Sequence, residues 1–127
     1  MNPEIKQKWI EALRSGKYNQ GTGCLRTYKN EFCCWGVLCD LHSKKNGDVW
    51  HITPLMQDGE GKYAYYNEKL FAPKNVLKWA GFSDSILISM NEPLVSGSES
   101  DKCFFLSSLN DAGKTFSEIA DIIEKNL

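Results

Sequence analysis

At 127 residues, 42% hydrophobic and 12% aromatic, the chain is long enough for one domain to bury roughly two thirds of its unfolded surface without metal or disulfide support. Fifteen basic residues against sixteen acidic ones leave a formal charge of −1, and neither sign gathers into a block, so general attraction to nucleic acid or an anionic membrane is not expected. Glu4, Lys6, Lys8, Glu11 and Arg14 interrupt the first twenty residues, which leaves no apolar centre for a secretory signal; no run nears the roughly 18 apolar residues of a membrane span, and the expected location is cytoplasmic.

Asn2 is placed to cap a helix whose first turn holds Pro3 and Glu4, residues that suit an unbonded N–H position and the positive dipole end. Ile5, Trp9, Ala12 and Leu13 share one face of this helix, which Gly16 stops after Ser15. The polar and glycine-rich stretch Lys17 to Gly23 fits neither periodic template and reads as an ordered loop. Cys24–Thr27 and Glu31–Cys33 flank Tyr28-Lys29-Asn30 as a small hairpin, since asparagine tolerates a positive φ. A helical stripe of Cys34, Val37, Leu38 and Leu41 runs to about Ser43, and Lys44-Lys45-Asn46-Gly47-Asp48 closes it.

Val49–Ile52 and Lys62–Tyr66 read as two strands rich in β-branched and aromatic residues, with Asp58-Gly59-Glu60-Gly61 as the turn between them. Pro73 opens a short helix through Val76, Leu77 and Ala80, and Gly81-Phe82 gives it a Schellman ending. Ile86–Met90 tips toward strand on β-branched content, and 96–101 is the expected mobile loop. Cys103, Phe105, Leu106 and Leu109 mark a helix broken near Gly113, before the capping box Thr115-x-x-Glu118 starts a last helix along Phe116, Ile119, Ala120, Ile123 and Leu127. The expected architecture over 1–127 is one α+β domain, with helices at both ends and in the middle around a small antiparallel sheet of short hairpins.

Three of the five cysteines, Cys33, Cys34 and Cys39, lie in the most apolar stretch of the chain. The odd count and the absence of C-x-x-C spacing favour free thiols that pack as small hydrophobes. A reactive reading is open as well. Cys33 and Cys34 begin the predicted helix, where the dipole and Arg26 favour a thiolate, but His42 lies about 12 Å of helical rise beyond Cys34 and only His51 is left as a base. A metal site would draw on Cys39, His42 and His51, without the paired-knuckle spacing of structural zinc. Gln20-Gly21-Thr22-Gly23 lacks the strand and helix of a phosphate loop, and no cofactor is expected. Gln20 and Arg26 are the polar residues there with most binding potential, for a small ligand. Leu106 to Asn126 has the outline of half a helix-turn-helix, but its acids Asp111, Glu118, Asp121 and Glu124 repel phosphate, so nucleic acid is not an expected partner. Trp50, Tyr63 and Tyr65 offer an aromatic sheet face; Tyr63 and Tyr65 share one side of their strand and Tyr66 takes the other.

Together, Trp9 to Tyr18, Gln20-Gly21, Leu25-Arg26, Phe32-Cys33-Cys34, Gly36 to Asp40, Trp79-Ala80-Gly81, Leu109-Asn110-Asp111 and Gly113 to Ala120 form a pattern that resembles a family of small proteins of unknown function, many from phage genomes and phage-like regions. Trp35 stands where that pattern usually has leucine, and the match is weakest from His42 to Phe71. The resemblance implies a phage-associated intracellular protein, at work in the host cytoplasm. The expected function is a non-enzymatic interaction or accessory factor with a protein partner; no oligomeric state is assigned. The alternatives are a small enzyme or metal-binding protein using Cys33, Cys34 and Cys39, and a small-ligand binder near Gln20 and Arg26.

Overall fold

In the computed structural model, Asn2 caps the first helix, α1 (Pro3–Arg14): its Oδ1 accepts the N–H groups of Glu4 and Ile5 at 2.9 and 3.3 Å. The structure describes residues 1–52, 63–66, 68, 70–82 and 106–127. Among these, α2 spans Cys34–Asn46, α3 spans Lys74–Trp79, α4 is the helical stretch 106–111, and α5 spans Phe116–Asn126. The expected features at Ile86–Met90, 96–101, Asp58–Gly61 and Cys103 lie outside the described residues.

Among the described residues the short strands form two pairs. β1 (Asn19–Gln20) runs parallel to β2 (Glu31–Phe32), and β3 (His51–Ile52) runs antiparallel to β4 (Tyr63–Ala64), with His51 opposite Ala64 and Ile52 opposite Tyr63. The α+β class and the helix placement are as expected. The parallel pair is the difference, because Asn19–Gln20 falls in the stretch read as a loop. It has no alternating apolar pattern of its own and is held there by its partner strand and by a bond from Gly21 N–H to the Phe32 carbonyl at 2.7 Å. A single Arg26–Phe32 bridge marks the expected hairpin, and Asn30 adopts φ 62° in its turn. One further bond, from Tyr63 N–H to the Arg26 carbonyl at 3.1 Å, joins the β3–β4 pair to this hairpin.

α1 packs chiefly on α5, burying Trp9, Ile10 and Leu13 against a core that includes Ile119, Ala120 and Ile123. Across the outer edge of that contact Arg14 bonds Asp121 at 2.5 Å and Glu124 at 2.7 Å. α2 passes through the middle with Val37, Leu38 and Cys39 fully enclosed. The Trp9 indole donates to the Cys34 carbonyl at 2.9 Å and lies 4.9 Å from Trp35. Gly36 is required by proximity: a Cβ there would sit 1.9 Å from the Leu25 carbonyl oxygen. The Schellman ending of α3 forms as read, with Gly81 at φ 86° and Phe82 N–H on the Leu77 carbonyl at 3.0 Å. The capping box of α5 is complete, with Thr115 and Glu118 bonding each other's backbone N–H.

Candidate functional site

The hairpin turn builds the most unusual polar feature of the described residues. Asn30 N–H closes on the Thr27 carbonyl at 2.9 Å, and Glu31 N–H on Thr27 Oγ1 at 3.1 Å. The left-handed backbone at Asn30 turns its amide back toward Arg26, whose Nε and Nη2 both donate to Asn30 Oδ1 at 3.2 and 2.7 Å. This fixes the guanidinium among three rings: its carbon lies 4.0 Å from the centre of Tyr63, 5.1 Å from Phe32 and 5.4 Å from Trp50, within the range of cation–π attraction. Arg26 and Tyr63 are half-buried, while Tyr28 and Lys29 in the adjoining turn are exposed.

Behind the box, Trp50 is anchored by its indole N–H on Asp40 Oδ1 at 3.1 Å. The other Asp40 oxygen accepts the Tyr18 hydroxyl at 2.6 Å and meets Lys44 Nζ at 3.3 Å. Burial and the Asp40 bond push the Tyr18 phenol above its ordinary value. Deeper still, Tyr65 is fully buried and its hydroxyl lies 2.6 Å from His42 Nδ1. His42 is walled by Trp79, Tyr65 and Tyr66 at 5.0, 5.7 and 6.1 Å. Its burial holds the imidazole below its ordinary value, partly offset by Asp48 at 3.9 Å. A neutral imidazole is what so apolar a setting favours.

Of the residues singled out from sequence, Arg26, Trp50 and Tyr63 therefore converge. Tyr65 lies beneath them as core, and Tyr66 emerges at the surface. Gln20 serves elsewhere: its amide donates to Asn110 Oδ1 at 2.9 Å and the Lys114 carbonyl at 2.6 Å, and accepts from Phe116 N–H at 3.1 Å. With the buried Asn110 donating to the Gly21 carbonyl at 2.8 Å, this clasp ties β1 to the α4–α5 connection. From sequence, Phe32 and Asp40 carry no binding role and Asn30 stands only as the positive-φ residue of the turn. Asp40 had a legible signal, as the one carboxylate in the apolar stretch from Cys33 to Leu41, because such a group is rarely enclosed without partners.

One family model, described as a domain of unknown function (DUF8296), matches residues 1–127. The chain belongs to this family. No curated protein and no solved structure matches it.

The four thiols among the described residues of this DUF8296 domain, Cys24, Cys33, Cys34 and Cys39, are enclosed. Cys33 is the N-cap of α2, its Sγ accepting Gly36 N–H at 3.4 Å, yet burial outweighs that bond and pushes the thiol up to about 12. Cys34 and Cys39 are held well above the ordinary value for the same reason. A nucleophilic cysteine needs the opposite shift. Cys24 and Cys33 do edge a cavity of about 220 Å³ with Leu70, Phe71, Ser108 and Asp111, but Cys33 stays protonated there at neutral pH. The metal candidates do not converge either: Cys39 and His42 are interior and His51 is exposed. No three His, Cys, Asp or Glu side chains among the described residues are grouped to hold an ion.

Proposed function

We propose that this DUF8296 domain is a non-enzymatic interaction factor that binds a protein partner through the face where Arg26 and Tyr63 emerge, with Tyr28 and Lys29 beside them. One observation carries the reading: a guanidinium held in a box of three aromatic rings at a half-buried surface position, with no carboxylate in ion-pair range among the described residues. Arginine, tyrosine and tryptophan are the side chains that dominate interface energetics, since each buries a large rigid body at small entropic cost. The phage-type pattern in the sequence supports a phage-associated accessory role in the host cytoplasm. No helix among the described residues is long and apolar enough to cross a membrane.

A tagged copy recovered from expressing or infected cells tests the proposal against Tyr63→Ala, with Tyr66→Ala, an exposed position in the turn after β4, as the control. Tyr63→Ala is expected to lose the partner while Tyr66→Ala keeps it. Equal recovery by a folded Tyr63→Ala variant sinks the proposal.

A further inference from the structure

The chain has two arginines, and they are treated oppositely. Arg14 spends its guanidinium on Asp121 and Glu124. Arg26 has no acid in ion-pair range among the described residues, and its only hydrogen-bond acceptor there is a neutral amide oxygen. Nε and one Nη2 hydrogen share Asn30 Oδ1, so among the described residues both Nη1 hydrogens and the second Nη2 hydrogen are unspent out of five. Two of these, one on Nη1 and one on Nη2, form the end of the fork, the edge that takes a carboxylate in the two-bond, coplanar fashion. The rings on Arg26 and the Asn30 bonds remove its rotamer freedom beforehand, so little entropy is left to lose on pairing.

We infer that the partner presents a carboxylate to Arg26: the ligand is an acidic peptide segment whose aspartate or glutamate sits end-on against Nη1 and Nη2, with its neighbours lying over Tyr63 and Tyr28. This rests on the binding face proposed above and specifies the chemistry it recognises. Carboxylate is favoured over phosphate by the surrounding charges. Nucleic-acid affinity builds up from several cations neutralising successive phosphates, whereas this turn carries only Arg26 and Lys29 and includes the acid Glu31, whose Oε1 lies 3.5 Å from Thr27 Oγ1. A single monoanion tolerates Glu31 better than a phosphate chain does.

The test uses the full chain, with three probes: a short glutamate–serine peptide, its glutamine–serine counterpart and an oligothymidylate. The readout is the Arg26 Nε–Hε resonance, assigned by its loss in Arg26→Gln. A saturable shift with the glutamate peptide alone is expected. Arg26→Lys, which keeps the charge but not the fork and is followed through the backbone amide of Lys29 in the adjoining turn, is expected to weaken that peptide by roughly tenfold or more, the worth of one charge-assisted hydrogen bond; the Trp9 indole resonance reports that each variant is folded. An equal shift with the glutamine peptide, a stronger one with oligothymidylate, unchanged affinity in Arg26→Lys, or no shift at all overturns the inference. If the glutamate peptide leaves Arg26 unmoved while Tyr63→Ala still abolishes partner recovery, the carboxylate falls and the face stands. Partner recovery that survives Tyr63→Ala removes the face itself.

Discussion

Gly36→Ala sets two effects of opposite sign against each other. Alanine is the better helix former, which favours the variant by about 1 kcal/mol in a helix interior. The new methyl, however, would lie 1.9 Å from the Leu25 carbonyl oxygen and 2.8 Å from its carbon, where an ordinary carbon–oxygen contact is about 3.3 Å. The obstacle is backbone, so the 24–26 segment must recede from α2 by more than 1 Å. Overpacking of this kind costs about 1–3 kcal/mol. Moving the Leu25 carbonyl also strips the Cys33 N–H of its acceptor at 3.2 Å, a loss of about 1 kcal/mol more. The net expectation is destabilisation by about 2 kcal/mol, or a fall in Tm of about 8 °C for a domain of this size. Urea unfolding followed by tryptophan fluorescence should show a lower midpoint at an unchanged slope. A variant as stable as the parent, or more so, would refute the close approach of Leu25 to α2.

Asn110→Ala orphans the Gly21 carbonyl and one donor of Gln20, and is expected to cost about 2 kcal/mol in thermal denaturation; a loss below about 0.5 kcal/mol would mean the clasp is ornamental. The raised thiols predict alkaline sensitivity: above the ordinary value of 9.0 the unfolded chain releases thiol protons that the folded chain keeps until about 12 at Cys33, so stability falls as pH rises through that window. Each buried thiol adds about 1.4 kcal/mol per pH unit to the slope, and Cys33→Ala should flatten it by one such increment. His42 acts at the other end. Its folded value lies below 6.5, so its contribution is complete above that pH and is lost as pH falls, because the unfolded chain binds the proton first; in His42→Gln the loss of stability between pH 7 and 5 should be smaller, and an unchanged loss counts against the buried neutral ring.

What the sequence disclosed was local. The Asn2 cap, the Asn30 turn, the Gly81 ending and the Thr115–Glu118 box each lie within a few residues of the bonds they make, and all four form as read. The parallel pairing of Asn19–Gln20 with Glu31–Phe32 has no such signature, because neither two-residue strand is long enough to show a period. Gln20 looked available for a ligand because Asn110, which takes its amide, is 90 positions away. For the aromatic face, a period of two assigns a side but no depth. Tyr63 and Tyr65 share that side, yet the first reaches the surface beside Arg26 and the second is sealed against His42.

The reliance of α1 on α5 carries a consequence for biosynthesis. Roughly a hundred residues separate the two, so at about 5–20 residues per second the ribosome leaves Trp9, Ile10 and Leu13 without their wall for some 5–20 s. During that interval a strongly amphipathic segment is open to chaperones and to neighbouring nascent chains. Removing α5 would make the interval permanent, so variants lacking it should be captured by holdases or precipitate, even though the sequences of α1 to α4 are intact.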